Sequence, residues 1–166
     1  MEDVFQFGDE LGPAKVMHIF EPSLGLKAVL VIDNVARGPA VGGLRMASDV
    51  SARECFRLAR AMTMKNAAAG LAHGGGKSVL YGDPRMPREN KEALVRAFAH
   101  ALRNETDYIV GPDMGTDETC MACGSRMRSA VPWVCRRRSA ESRSTRSAPP
   151  ASALPTPRKW PRRNAG

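Results

Sequence analysis

GLAHGGGKSVLYGDP, residues 70–84, sets three consecutive glycines directly before a lysine and a short apolar run. Gly76-Lys77-Ser78 are the letters that close a phosphate-binding loop. That pattern also needs a glycine five residues before Gly76, where Leu71 stands. A dinucleotide fingerprint fails as well, because Gly74 and Gly76 would require a third glycine at Val79. Residues 71–76 therefore read as a helix breaker, leading straight into a strand over residues 77–81 that closes at the turn Gly82-Asp83-Pro84.

The neighbouring segments fix the context of that strand. Upstream, Ser51-Ala52-Arg53-Glu54 is a capping box opening a helix, with Cys55, Leu58, Ala59 and Met62 as its apolar side and Lys65 near its last turns. Residues 15–20 and 26–33 are apolar, β-branched runs joined by Glu21-Pro22-Ser23-Leu24-Gly25, which predicts a β-hairpin. Gly38-Pro39 and Gly42-Gly43 mark an expected loop whose backbone passes close to another group. Downstream, residues 87–104 predict a helix with Leu94, Val95, Phe98, Ala101 and Leu102 as its buried stripe, and residues 108–111 a strand. Asp113-Met114-Gly115-Thr116 then stands at the strand end, with Thr116 as cap of a further helix. Strands alternating with helices imply an α/β fold, a layered open sheet with flanking helices.

Composition divides the chain. Residues 1–123 carry 14 Lys/Arg against 16 Asp/Glu, whereas residues 124–166 carry 11 Lys/Arg against the single acid Glu141. The overall charge of +8 thus describes a tail and not the folded part. No basic, apolar leader opens the chain, and no apolar run reaches the roughly 18 residues of a membrane span, as expected of a soluble cytoplasmic protein. Cys120-x-x-Cys123 lacks a second such pair and a nearby histidine, so ordinary reduced thiols are expected and no metal site.

Lys65 and Lys77 lie twelve residues apart across a chain reversal, and Asp113 follows at the end of the last predicted strand. Two cations and a carboxylate converging on one cleft suit an anionic substrate, one lysine pairing with it and the other acting as base. A lysine serves as base only where burial and a neighbouring like charge favour its neutral form. The competing reading makes both lysines surface residues and the glycines turn formers.

Four stretches in order turn this pattern into a resemblance: residues 38–46 (GPAVGGLRM), 62–67 (MTMKNA), 74–77 (GGGK) and 111–116 (GPDMGT). Together they resemble the substrate-binding and oligomerisation domain of the glutamate/leucine/phenylalanine/valine dehydrogenases, nearest in pattern to leucine dehydrogenase-like members. The resemblance covers residues 15 to about 122. It implies NAD(P)-dependent oxidative deamination of an L-amino acid to a 2-oxo acid and ammonia, in a homo-oligomer. By the same resemblance, Lys65 pairs with the substrate α-carboxylate beside the Gly42-Gly43 backbone, Lys77 activates the attacking water, and Asp113 shuttles protons to and from the substrate nitrogen. The glycines of residues 74–76 are then walls that let substrate approach Lys77. Glutamate-specific relatives place a lysine just before the Gly-Gly pair, where this chain has Val41. An apolar residue there leaves a second carboxylate unpaired, so an apolar amino acid is expected. Met62 and Gly111 are expected to help line the pocket.

The family continues into a Rossmann domain, and no such glycine-rich sequence follows residue 122 here. Residues 123–166 are expected to be a disordered Arg/Ser/Pro-rich tail. Residues 143–154 (RSTRSAPPASAL) can be encoded by codons that, in a shifted frame, spell Leu-Asp-Glu-Ile-Gly-Ala-Thr-Gly-Phe-Gly-Leu, resembling the family's entry into its cofactor domain. The expectation is an out-of-frame tail beginning near residues 122–125, with NAD or NADP not bound well by this chain and the chain inactive alone. The alternatives are a basic arm binding nucleic acid, which is less favoured, or a nonenzymatic assembly subunit.

Overall fold

A computed structural model of the chain describes residues 5–125. The arginine-rich stretch and the expectations attached to residues 126–166 lie outside the described residues, as does the side chain of Cys123. The expected hairpin is present. β1 (Lys15–Glu21) pairs antiparallel with β2 (Leu26–Ile32), Lys15 facing Ile32 and Glu21 facing Leu26. β3 (Ala40–Ala47), α1 (Ala52–Ala68), β4 (Gly74–Tyr81), α2 (Arg88–Ala101), β5 (Tyr108–Pro112) and α3 (Glu118–Ser125) complete the fold. α3 continues through the expected domain boundary at residue 122.

The five strands form one mixed sheet in the order β1-β2-β4-β3-β5, with β4 parallel to β3 and β3 parallel to β5. The connection through α1 moves one way across the sheet, from β3 to β4. The connection through α2 moves the other way, from β4 over β3 to β5. Right-handed crossovers running in opposite directions put their helices on opposite faces. Two cores result. Leu30, Leu80, Leu44, Val110 and Tyr108 pack with Val95 and Phe98 of α2 and Met121 of α3 on one face. Val29, Val31 and Val79 pack with Cys55, Phe56 and Ala59 of α1 on the other.

Several local expectations need correction. Residues 40–47 are a strand and not a loop, because the Gly42-Gly43 pair lets β3 lie unusually close to both neighbours. A Cβ on Gly42 would stand 1.8 Å from the Gly76 carbonyl oxygen. Context thus outweighs the poor strand propensity of glycine. β4 begins at Gly74, not Lys77, so the glycines are part of the strand. In α1, Cys55 and Ala59 are buried as expected, but Leu58 and Met62 are only half-buried, while Phe56 and Asn66 complete the buried side. In α2, Ala99 and not Ala101 joins the buried stripe. Ser51 does cap α1, its hydroxyl accepting from Glu54 N–H at 3.1 Å. Thr116 does not cap α3. Asp117 does, accepting from Cys120 N–H at 2.9 Å.

The close approach of β3 to β4 leads to a prediction. Gly42→Ala forces two central strands apart and costs about 3 kcal/mol or more. Gly70→Ala meets no atom within 4 Å and strains only a backbone φ of +67°, costing about 1 kcal/mol. Urea unfolding of the two variants checks the ranking.

Candidate functional site

β4 is covered on both faces, and Lys77 lies on its α1 side with Val79. The lysine is only 5% exposed. Its Nζ meets Asp113 Oδ2 at 2.5 Å. Cys55 of α1 closes the space beneath, its Sγ donating to the Lys77 carbonyl at 3.3 Å. Burial pushes that thiol up to about 12, which makes it an inert packing group.

Asp113 follows β5 in a turn locked onto β3. Its N–H donates to Thr116 Oγ1 at 3.1 Å, and Thr116 Oγ1 donates to the Leu44 carbonyl at 2.7 Å. Arg45 of β3 adds a second cation, its Nε donating to the same Oδ2 at 3.0 Å while Nη1 meets Glu54 Oε1 at 2.5 Å. Burial alone would raise the Asp113 carboxyl. The hydrogen bond and charge of Lys77, with help from Met114 N–H and Arg45, outweigh it and hold the group below the usual aspartate range.

α1 packs on β4 and β2, leaving the same face of β3 and β5 half-exposed beside it. Val41 pairs with Ile109 and Gly43 with Gly111, so these four positions form a shelf next to Asp113. A side chain on Gly43 would meet Asp113 Cβ at 2.7 Å. Lys77, Asp113, Gly43, Val41 and Gly111 are therefore brought together on one face. Gly42 alternates to the other face and is buried against β4. Met62 and Lys65 lie on α1, Met62 half-buried and Lys65 exposed in the last turn, with no ion pair for Lys65 among the described residues. The end of that helix is fixed by Asn66, whose buried Nδ2 donates to the Gly74 carbonyl at 2.7 Å.

The glycines of residues 74–76 have a different reason from the one read in the sequence. A Cβ on Gly74 would meet Asn34 O at 1.6 Å, one on Gly75 the Thr63 N of α1 at 2.0 Å, and one on Gly76 the Tyr108 ring at 2.9 Å. They admit protein neighbours, not substrate. Arg45, Glu54 and Asn66 were missed. Alternation along β3 would have placed Arg45 on the shelf, had residues 40–47 been read as a strand. Glu54 was seen only as half of a capping box, yet its carboxylate turns to Arg45.

The glycine run forms no phosphate-binding loop for a nicotinamide dinucleotide, because it opens strand β4 and its Cβ positions are filled by protein neighbours. Among the described residues no three His, Cys, Asp or Glu side chains are grouped to hold a metal ion, and no helix is long and apolar enough to cross a membrane. A groove of about 710 Å³ between the β1–β2 hairpin and α2 lies on the opposite face and holds none of the residues above.

Comparison with known proteins follows the same lines. The chain is 39% identical over 119 residues to leucine dehydrogenase of Geobacillus stearothermophilus, an overlap of 69% of this chain and 32% of the relative. It is 34% identical over 122 residues to phenylalanine dehydrogenase of Thermoactinomyces intermedius, covering 70% of this chain and 33% of that one. The chain thus spans about a third of the length of the curated relatives it matches. Among solved structures, the hetero-hexameric glutamate dehydrogenase of Thermus thermophilus in its leucine-bound form superposes with a TM-score of 0.66 at 30% identity, over 70% of this chain and 31% of that chain. L-tryptophan dehydrogenase of Nostoc punctiforme gives 0.64 at 26% identity, over 72% of this chain and 36% of that chain. Residues 13–128 match the Glu/Leu/Phe/Val dehydrogenase dimerisation domain, and the chain belongs to that family of amino-acid dehydrogenases.

Proposed function

We propose that the domain supplies the substrate side of NAD(P)-dependent oxidative deamination of an apolar L-amino acid. The observation that carries this reading is the buried Lys77–Asp113 ion pair at 2.5 Å, set at the edge of a glycine-floored shelf. Lys65, exposed at the end of α1, pairs with the substrate α-carboxylate. Val41 on the shelf selects an apolar side chain, since it offers nothing to a second carboxylate. Met62 and Gly111 complete the lining. The family's description as a dimerisation domain supports assembly into a homo-oligomer.

The steps assigned to this chain concern protons. Within the Lys77–Asp113 contact a proton passes to the carboxylate and leaves a neutral amine; on the imino acid that amine takes a proton from the attacking water, whose oxygen bonds to the carbon. Asp113 then delivers its proton to the nitrogen, the C–N bond breaks to release ammonia, and the resulting carboxylate takes the proton of the new hydroxyl as the carbonyl of the 2-oxo acid forms. The ion-pair contact gives a direct route for passing a proton between the two groups. Hydride transfer is chemistry of the nicotinamide, for which the glycine run offers no phosphate loop.

Ligand binding by the full chain tests the assignment. Calorimetry is expected to show the oxo acid of leucine binding more tightly than that of glutamate, and Val41→Lys is expected to reverse the order. Preference for the glutamate oxo acid in the unaltered chain would sink the substrate assignment. Lys65→Met is expected to weaken oxo-acid binding about tenfold to a hundredfold, the loss of one charge-assisted contact.

The ion pair also predicts an acid limb of stability. A carboxylate held below its ordinary value of 3.8 contributes stability that is complete above that value and is lost as pH falls through the lowered folded value. Asp113→Asn should flatten that limb in acid-unfolding curves. An unchanged limb would mean that the pair contributes nothing.

A further inference from the structure

Asp113 is held by more than its lysine, and the way it is held divides its two oxygens. Lys77 Nζ and Arg45 Nε both meet Oδ2, and Oδ1 takes part in neither ion pair. Arg45 is itself held by its other edge, Nη1 lying 2.5 Å from Glu54 Oε1. The Arg45 side chain is 18% exposed, so its planar fork is largely enclosed between strand and helix. A guanidinium serves two carboxylates from fixed directions, whereas an ammonium on a flexible stem imposes no such directions on its partners.

We propose that Arg45 and Glu54 are a positioning pair for Asp113: they lock its carboxylate with Oδ2 committed to Arg45 and Lys77, leaving Oδ1 to exchange a proton with the bound substrate nitrogen. This rests on reading the shelf as an amino-acid site. Glu54 has two effects. It fixes Arg45 from the far side, and its charge offsets that of Arg45, so the arginine orients Asp113 without adding a net positive charge beside Lys77.

The charged and titratable groups around Asp113 come from four elements. β4 contributes Lys77, β3 contributes Arg45, and α1 contributes Glu54 and the Cys55 thiol. Tyr108 of β5 reaches the far face, where its hydroxyl lies 3.0 Å from Ser78 Oγ. Arg53 and Arg57 share a surface hollow with Glu54. Removing Arg45 takes a cation from Asp113. Removing the Glu54 charge leaves that cation unopposed, so the two substitutions act on the carboxylate with opposite signs.

The test is carbon-detected NMR of the full 166-residue chain, with Asp113→Asn identifying the resonance. In the unaltered chain, scalar couplings should report one χ1 rotamer for Asp113. Arg45→Met should average the rotamers and shift the carboxyl titration midpoint upward. Glu54→Gln should shift it downward. Arg45→Lys should keep a cation yet fail to restore the single rotamer. Dispersed spectra with unchanged rotamer and midpoint in Arg45→Met, or shifts of the same sign in the two variants, would overturn the proposal. If Arg45→Met fails to fold, Glu54→Gln decides alone, and an unmoved or raised midpoint there counts against it. Adding the oxo acid of leucine to the same samples separates the two claims. Absence of binding to the unaltered chain defeats the substrate reading, while the Asp113 titration still judges the positioning pair.

Discussion

A buried ammonium must be paired, and Lys77 finds its partner two strands away. β3 lies between β4 and β5, and adjacent strands are spaced about 4.8 Å apart, so the lysine has to reach across a whole strand to meet Asp113. That crossing is possible because Gly43 puts no side chain in the way. A Cβ there would press on Asp113 itself. The ion pair thus accounts for Gly43 in β3 and depends on the turn that Thr116 and Gly115 lock onto β3. Removing one partner would leave an uncompensated charge in a site that has little water to solvate it.

The opposite directions of the two crossovers explain why this face is available at all. α1 covers β4 and β2, while α2 and α3 are sent to the other side, so the α1 face of β3 and β5 keeps a half-open shelf. The site is therefore a sheet surface beside a helix, with its cation drawn from the covered strand and its carboxylate from the edge strand. Its residues come from three strands and one helix.

Legibility in the sequence followed the physics of each signal. Hairpin, capping box and the two long helices were readable because periodicity and capping are local. Lys77 and Asp113 could be singled out because charged residues beside glycines and at strand ends are conspicuous, and Lys65 because it stands near a helix end across the reversal from Lys77. β3 was not readable, since its glycines answer to neighbours distant in sequence, and losing β3 meant losing Arg45. Thr116 looked like a helix cap because its residue type suits one, but the tighter tie to the Leu44 carbonyl prevailed and left the capping to Asp117. The glycines of residues 74–76 were noticed for the right reason, close approach, and given the wrong neighbour.

We propose that Lys65, Lys77 and Asp113 serve one small anionic ligand held on the shelf between Val41 and Gly111. A crystal structure of the full chain soaked with the oxo acid of leucine tests it most directly. The carboxylate of the ligand is expected at Lys65, its carbonyl carbon beside Lys77, and its side chain over Val41. A ligand bound in the groove between the hairpin and α2, or Lys65 pointing away from a ligand that does occupy the shelf, would contradict it.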